Sequence, residues 1–191
     1  GIDPKHHQLF EERFGFPLVE GWGMTEVAMP TWSSTEPRKT ETRAFGRPLS
    51  GCQIRVVDEN DNEVSPGVAG ELTLRMEGKN PRKGLFSGYL KDSEATETAW
   101  RGGWFHSGDT VTCASDGMLT FVDRAKNIIR RSGENIAAAE VEAVLQSNKF
   151  VIQAAVIAVP DEIRQEEVMA CVILNDSIDP DMATAIDIQD Y

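Results

Sequence analysis

The stretch from residue 44 to residue 122 constrains the fold most, because short runs of alternating apolar and polar residues follow one another with turn residues between them. The runs QIRVVD, GELTLRM, TVTCA and MLTFV have the two-residue period of β-strands, and ENDN and SDG supply turns. The segment SEATETAW interrupts these runs and is typical of a helix of about two turns with Ser93 as its N-cap. We therefore expect an antiparallel, partly closed sheet with one inserted helix.

The first residues carry clear helix punctuation. Asp3 is typical of an N-cap, Pro4 of the first helical position and Gly15 of the position just beyond a helix. We expect an amphipathic helix over residues 3–14 that buries its apolar side chains, Leu9, Phe10 and Phe14. The next segment, PLVEGW, is short and apolar and suits a strand.

The pattern changes again near Lys126. AAAEVEAVLQ is rich in helix formers, and VIQAAVIAVP and EVMACVIL are apolar enough for strands that are buried on at least one side. The predicted fold class is therefore α+β. A β-rich, barrel-like part occupies residues 1–125, and a smaller α+β unit occupies residues 126–191.

The charge balance argues against several classes of partner. The chain has 19 Lys and Arg against 31 Asp and Glu, a net charge of −12, whereas proteins that bind nucleic acids or anionic membranes cluster basic residues. No apolar run approaches the roughly 20 residues that cross a bilayer, and GIDPKHHQLF lacks the pattern of a secretory signal. The three cysteines, Cys52, Cys113 and Cys171, form no CxxC pair and suggest no disulfide framework. We expect a cytoplasmic protein that binds no nucleic acid and spans no membrane.

The first candidate site is GWGMTE, residues 21–26. Glycine presents no side chain, so the backbone at Gly23 can approach a ligand closely. Thr25 offers a hydroxyl to a phosphate oxygen, Glu26 a hard oxygen suited to Mg²⁺, and Trp22 a flat face for stacking on a base. By composition alone, an ordinary surface turn between a strand and a loop remains the alternative.

The second candidate site is GGWFHSGD, residues 102–109. We expect Asp109 on an exposed corner before a strand, where a carboxylate can accept hydrogen bonds from both hydroxyls of a ribose. We reject a Ser-His-Asp triad of Asp109 with His106 and Ser107, because near-neighbours along a strand point to opposite faces and the chain has no GxSxG elbow.

The third candidate is FVDRAKNIIRRSGENI, residues 121–136. Asp123 and Arg124 end a predicted edge strand, and basic residues precede the turn at Ser132 and Gly133. By periodicity alone, a solvated basic hairpin explains this segment.

The sequence does not support either of two possible metal sites, a calcium loop and a zinc site. Asp58, Asn60 and Asn62 resemble the start of a calcium loop, but the required glycine and bidentate glutamate are missing, so a hairpin turn is predicted. The histidines are too few and scattered for a zinc site, and we expect His6 and His7 on an exposed helix surface.

Together and in this order, the motifs resemble one family, the adenylate-forming enzymes, which include acyl-CoA synthetases, luciferases and the adenylation domains of peptide synthetases. GWGMTE resembles the family's aromatic-Gly-x-Thr-Glu motif, and residues 70–96 resemble its Gly-Glu-Leu strand followed by its Gly-Tyr and Thr element. GWFHSGD resembles the ribose motif, and DRAKNIIRRSGENI with AEVE resembles the hinge and the start of the mobile C-terminal domain. The similarity runs from about residue 3 to residue 175.

The resemblance implies a role for each nucleotide-binding residue. Trp22 would pack against adenine, Thr25 would contact the α-phosphate of ATP, and Glu26 would hold Mg²⁺. Asp109 would bind the ribose hydroxyls, helped by Arg124.

The resemblance also implies roles for the later residues and a reaction in two halves. Lys126 would be the hinge about which the C-terminal domain rotates, and the turn at Gly133 would line the channel for the pantetheine arm of coenzyme A. ATP would activate a carboxylic acid as acyl-AMP with loss of pyrophosphate. After domain rotation, the thiol of CoA would take the acyl group and release AMP.

Two elements of the family pattern are missing. Only twenty residues precede GWGMTE, where the family has a Ser/Thr/Gly-rich phosphate loop, and no lysine follows Lys149, where the family has its adenylation lysine. We therefore expect a fragment that contains the C-terminal portion of the large domain and an incomplete mobile domain, and that does not adenylate a substrate by itself.

The acceptor of the acyl group remains open. SGENI and FSGYLKDSEAT most resemble synthetases of the carnitine/crotonobetaine and fatty-acid type, which implies an acyl-CoA synthetase. The alternatives are an adenylation domain that loads a carrier protein, and a non-catalytic nucleotide-binding or interaction domain. The sequence determines neither the acyl substrate nor the oligomeric state.

Overall fold

A computed structural model describes residue 2, residues 4–175, residue 178 and residues 180–189. The chain forms two compact units, residues 1–122 and residues 123–191, and each is described separately. The assignment of residues 1–125 and 126–191 to a large and a mobile domain stays a prediction.

The first helix of the first unit, α1 (Pro4–Phe14), ends where the sequence predicts. Gly15 has a φ of +72°, and its N–H donates to the Glu11 carbonyl oxygen at 2.9 Å, which closes the last turn with a left-handed residue. The predicted N-cap, Asp3, lies outside the described residues.

The predicted burial of α1 is wrong for two of its three apolar residues. Leu9 and Phe14 are 61% and 54% exposed. His7, predicted to be exposed, is buried instead, and its Nε2 lies 3.4 Å from Oε2 of the buried Glu20. α1 therefore buries a polar contact on the side where His7 lies, and the spacing of its apolar residues does not indicate that contact.

The segment PLVEGW does not form a strand, contrary to the prediction. Residues near its end instead bond to the next segment individually. The Ser33 N–H donates to the Glu20 carbonyl oxygen at 2.8 Å, and the Trp22 N–H donates to Oγ1 of Thr31 at 3.1 Å. These bonds are isolated, and one of them goes to a side-chain hydroxyl, so they do not make the regular ladder of a strand.

A six-stranded sheet of the described residues curls into a half-barrel in the first unit, which confirms the predicted class. Its order is β1-β2-β6-β5-β4-β3, and the β1–β2, β2–β6, β3–β4 and β4–β5 pairings are antiparallel. Side chains from the inner face of the sheet form the core, with Leu72, Leu74 and Phe105 completely buried. The strands are β1 (Thr31–Trp32), β2 (Ala44–Pro48), β3 (Cys52–Val57), β4 (Ala69–Met76), β5 (Phe105–Cys113) and β6 (Leu119–Arg124).

The inserted helix, α2 (Ser93–Ala99), confirms the prediction but starts one residue earlier than expected. Asp92 is the N-cap, because its Oδ1 accepts from the Ala95 N–H at 2.9 Å. Ser93 is therefore the first helical residue rather than the cap.

The loop that follows β3 forms a turn, as predicted. Oδ1 of Asp58 accepts from the N–H groups of Asn60 and Asn62 at 2.8 and 2.9 Å. A carboxylate that binds its own backbone two residues on is a turn device, so these bonds account for the polar residues there.

The second unit contains a four-stranded sheet of described residues in the order β8-β7-β10-β9, with a helix between β8 and β9, as the sequence predicts. Apolar side chains of α3 and the sheet form its core, including Ile129, Leu145 and Val156. No helix of the described residues has both the length and the apolar character needed to cross a membrane. The elements are β7 (Ile128–Arg131), β8 (Glu134–Ala137), α3 (Ala138–Ser147), β9 (Val151–Asp161), β10 (Gln165–Leu174) and α4 (Met182–Gln189).

Candidate functional site

The GWGMTE segment forms a tight turn beside the core of the first unit. The Met24 N–H donates to the Ala28 carbonyl oxygen at 2.9 Å and closes the turn. Trp22 is buried, whereas Thr25 is exposed on the turn. The turn therefore holds the indole ring in the protein and presents the threonine outward.

Gly23 is required by a close approach of two backbone segments. A Cβ atom at this position would lie 2.0 Å from the carbonyl oxygen of Ala28, far closer than real Cβ contacts. The neighbouring chain must move if any side chain is added here. The geometry of the turn is thus one reason for a glycine at this position. The close approach of a ligand, predicted from the sequence, is a separate reason.

We expect Gly23→Ala to destabilise the first unit by about 3 kcal/mol, because a methyl group would push apart two backbone segments. Denaturant unfolding of this chain measures the change. Gly21→Ala is the matched control and should cost less, since its nearest backbone atom, the Thr31 carbonyl oxygen, lies at 3.0 Å rather than 2.0 Å, and its other neighbour, Met29 Sδ, belongs to a flexible side chain. Equal losses of stability in the two variants would contradict the close approach at Gly23.

Asp109 lies in a bulge of β5. Thr73 pairs with His106 and Glu71 pairs with Thr110, so two steps along β4 match four steps along β5. Bulges of this kind re-aim side chains and are common beside functional sites. Asp109 is only 2% exposed and lies within β5, so the expectation of an exposed corner before a strand is wrong.

The two predicted nucleotide motifs meet in the first unit. The Nε1–H of Trp22 donates to Oδ2 of Asp109 at 2.7 Å, although 87 residues separate them in sequence. The same indole ring lies against Phe45, with ring centroids 6.3 Å apart. A short hydrogen bond to a buried carboxylate fixes both partners, so Trp22 and Asp109 form one structural site.

Glu26 bonds to a residue that the sequence analysis gave no role. Its Oε1 accepts from the Tyr89 hydroxyl at 3.1 Å, and its carbonyl oxygen accepts from the Phe86 N–H at 2.9 Å. The pKa of Tyr89 is raised, mainly because the phenol is partly buried and also because it lies beside the Glu26 carboxylate. The phenol therefore stays protonated and remains a hydrogen-bond donor. The Gly-Tyr pair of FSGYL was the only signal in the sequence, and only the tertiary structure shows its partner.

The donor set suits a magnesium ion that arrives with a nucleotide. No group of three or more His, Cys, Asp or Glu side chains within the described part of the chain could hold a metal ion. Mg²⁺ commonly binds one or two carboxylates together with substrate phosphates and water. Glu26 supplies one half-buried carboxylate, already oriented by Tyr89, and therefore fits this mode of binding rather than a cage of protein ligands.

Lys126 lies in the second unit, in a 3₁₀ turn over Ala125–Asn127 between β6 and β7. The buried Asp123 organises this turn. Its Oδ1 accepts from Asn127 Nδ2 at 3.2 Å, and its Oδ2 accepts from the Ala139 N–H at 2.9 Å in the first turn of α3. Asp123 thus joins the predicted hinge segment to a helix, a role that the sequence analysis did not assign.

Gly133 and Ser132 form the two-residue turn between β7 and β8. Their φ values of +86° and +52° are typical of a type I′ hairpin turn. The adjacent arginine is not simply solvated, because Arg131 Nε lies 2.5 Å from Oε1 of Glu167. Arg124 is exposed at the end of β6, and its contact with a ribose stays a prediction.

Comparisons with known proteins agree with these motifs. The family model for the AMP-binding enzyme matches residues 1–90, and the model for the AMP-binding enzyme C-terminal domain matches residues 140–191. The chain is 34% identical over 178 residues to sulfoacetate-CoA ligase of Cupriavidus necator, covering 92% of this chain and 34% of that protein. It is 37% identical over 168 residues to crotonobetaine/carnitine-CoA ligase of Proteus mirabilis, covering 87% of this chain and 32% of that protein.

A solved structure shows the same fold. The chain superposes on o-succinylbenzoate CoA synthetase from Bacillus subtilis, in complex with its acyl-adenylate intermediate, with a TM-score of 0.80 and 27% identity over 98% of this chain and 37% of that one. The 191 residues span about a third of the length of the curated relatives they match. The chain belongs to the AMP-binding enzyme family, the adenylate-forming family that includes these CoA ligases.

Proposed function

We propose that the chain is part of an acid-thiol ligase that activates a carboxylic acid with ATP and transfers the acyl group to coenzyme A. The observation that carries this proposal is the 2.7 Å hydrogen bond between Trp22 and Asp109, which brings the proposed adenine and ribose contacts into one site. The similarity to CoA ligases supports CoA as the acceptor.

Asp109 would recognise the ribose. A carboxylate can accept hydrogen bonds from two neighbouring hydroxyls, and in this structure one oxygen of Asp109 accepts from Nε1–H of Trp22. Because Asp109 is only 2% exposed, neighbouring side chains must shift when a nucleotide enters. We propose that Trp22 moves in this step and then packs against the adenine, with Arg124 assisting at the ribose.

Thr25 and Glu26 would serve the phosphates. The exposed hydroxyl of Thr25 can donate to an α-phosphate oxygen, and the Glu26 carboxylate would bind Mg²⁺ together with the nucleotide. The ion would stabilise negative charge on the phosphates. The close approach of Gly23 to the Ala28 carbonyl keeps this turn tight, and the side chains of Thr25 and Glu26 would face one ligand.

The proposed reaction has two halves. A carboxylate oxygen of the acid attacks the α-phosphorus of ATP, the bond to the β-phosphate oxygen breaks, and pyrophosphate leaves. The CoA thiol then loses its proton and attacks the acyl carbon, and AMP leaves with the electron pair of the broken acyl-oxygen bond. The turn at Lys126 would allow the second unit to rotate between the halves, and the turn at Gly133 would line the path of the pantetheine arm.

The experiment is an ATP-pyrophosphate exchange assay of the full-length gene product with a panel of carboxylic acids, followed by addition of CoA. We expect exchange that depends on the acid and on Mg²⁺, and an acyl-CoA thioester by mass spectrometry. If pyrophosphate exchange occurs but no acyl-CoA forms, and the acyl group is transferred to a carrier protein, the acceptor is the carrier protein and not CoA. No exchange with any acid would favour a non-catalytic nucleotide-binding domain. The 191-residue chain, assayed alongside, tests the expectation that it does not adenylate alone.

We expect AMP binding to change the tryptophan fluorescence of the full-length gene product, because Trp22 would exchange its present surroundings for the adenine ring. Trp22→Phe should remove most of this change. Trp32→Phe is the matched control, since Trp32 is 41% exposed and has no proposed contact with the nucleotide. A fluorescence change that survives in Trp22→Phe and disappears in Trp32→Phe would contradict the assignment of Trp22.

A further inference from the structure

Glu71 lies on β4 directly behind the bulge that carries Asp109. Its Oε1 accepts from the Gly108 N–H at 2.9 Å, and its Oε2 lies 2.9 Å from His106 Nδ1 and 3.0 Å from Arg101 Nη2. The side chain is 21% exposed. One carboxylate therefore bonds to the bulge at two points, both within three residues of Asp109.

The bulge has a second anchor on the same strand. The Ser107 hydroxyl donates to the Leu72 carbonyl oxygen at 2.6 Å, and the Asp109 N–H donates to Ser107 Oγ at 3.1 Å. The carboxylate of Glu71 and the carbonyl of Leu72 together determine the backbone path into Asp109.

Gly108 shows why the first anchor matters. Its φ is +70°, and a Cβ atom at this position would meet open space, so packing does not impose the conformation. Glycine adopts either sign of φ readily. The Gly108 N–H donates to Glu71 in this conformation, so the hydrogen bond is a specific contact that stabilises it.

The environment of Glu71 favours the ionised form of its side chain. Burial raises its pKa, but the hydrogen bonds from His106 and Gly108 and the charge of Arg101 lower it by more, so the pKa of Glu71 lies below its ordinary value. The side chain is ionised at neutral pH, and its bond to Gly108 is charge-assisted, which makes it stronger than a neutral one.

We propose that Glu71 is a positioning residue for ribose recognition. It would hold the Gly108 N–H so that the bulge presents Asp109 to the ribose hydroxyls. This inference rests on the proposed function of Asp109 as the ribose ligand. Glu71 would not touch the nucleotide, and its effect would pass through the backbone of residues 107–109.

The test compares ATP with 2′-deoxy-ATP in the exchange assay of the full-length gene product. In Glu71→Ala we expect kcat/KM for ATP to fall about tenfold, since a hydrogen bond to a charged group is lost. The kcat/KM for 2′-deoxy-ATP should fall less, so the ratio of kcat/KM for ATP to that for 2′-deoxy-ATP, which is the preference for ATP, becomes smaller. Glu71→Gln keeps one oxygen for Gly108 and should restore part of the preference. Glu97→Gln is the control, because Glu97 is exposed and pairs with Arg82; it should leave the preference unchanged.

A second variant tests the same backbone without altering Glu71. Gly108→Ala strains the left-handed conformation and should also narrow the preference for ATP. Gly117→Ala is matched to it, with a φ of +79° and open space around its Cβ, but lies in the turn between β5 and β6. It should leave the preference at the wild-type value.

Asp109→Ala separates the two hypotheses. If this variant loses the preference for ATP while Glu71→Ala and Gly108→Ala keep it in full, the positioning role is wrong and the nucleotide function stands. If Asp109→Ala itself keeps the preference, the ribose assignment fails, and the role of Glu71 fails with it.

Discussion

Asp109→Ala is expected to lower the rate of ATP-pyrophosphate exchange by about 100-fold or more in the full-length gene product. The proposed site loses hydrogen bonds from two ribose hydroxyls, and each hydrogen bond to a charged group contributes about 1.5–3 kcal/mol. The loss should fall on kcat/KM for ATP and not on KM for the carboxylic acid, because Asp109 is assigned to the nucleotide alone.

The same substitution has a structural cost that must be measured separately. It leaves the buried Trp22 N–H without its acceptor, which costs about 1–3 kcal/mol. Asp109→Asn is the control, because its amide oxygen can still accept from Trp22 while its NH₂ group cannot accept from a hydroxyl. We expect Asp109→Asn to unfold near the wild-type temperature and still to bind the nucleotide weakly. Wild-type exchange rates in a folded Asp109→Asn variant would refute the ribose role.

Lys126→Pro is expected to spare adenylation and to slow thioester formation by about tenfold or more, because proline fixes a backbone angle that a hinge must change. Proline also disfavours a helical conformation at the preceding residue, here Ala125 in the 3₁₀ turn. Exchange of pyrophosphate reports the first half-reaction, and single-turnover transfer from preformed acyl-AMP to CoA reports the second.

Lys126→Ala distinguishes the backbone from the side chain at this position. It removes the ammonium group but leaves the backbone free to rotate, so both half-reactions should continue at near wild-type rates. An equal loss of both half-reactions in Lys126→Pro would contradict the hinge role. Loss of thioester formation in Lys126→Ala would assign the effect to the lysine side chain instead.

Local patterns were sufficient to predict several strands and the helices α1, α2 and α3. The two-residue period of GELTLRM and TVTCA predicted β4 and β5, because one face of each strand packs into a core such as that around Leu72 and Phe105. The position of Gly15 predicted the end of α1, since a left-handed residue there closes the last turn.

Long-range contacts explain where the sequence analysis failed. Apolar spacing placed Leu9 and Phe14 on the buried face of α1, yet both are exposed. The buried contact of His7 with Glu20 depends on a segment thirteen residues away, so the period of the helix could not indicate it. PLVEGW was predicted as a strand from its apolar residues, and the hydroxyl of Thr31 that replaces part of the ladder comes from another segment.

The candidate site was predictable in its parts and not in its connections. The motifs indicated Trp22, Glu26 and Asp109 separately, but the hydrogen bonds from Trp22 to Asp109 and from Tyr89 to Glu26 join segments 87 and 63 residues apart. Glu71 was visible only as part of a strand motif. Its bond to Gly108 depends on the register shift between β4 and β5, which no single strand pattern encodes.

The most direct test of the nucleotide site is a crystal structure of the full-length gene product with AMP bound. We expect both ribose hydroxyls within hydrogen-bond distance of the Asp109 carboxylate, with the adenine against Trp22 and the phosphate facing Thr25. A ribose bound elsewhere, with Asp109 still covered by Trp22 and out of contact with the nucleotide, would contradict it.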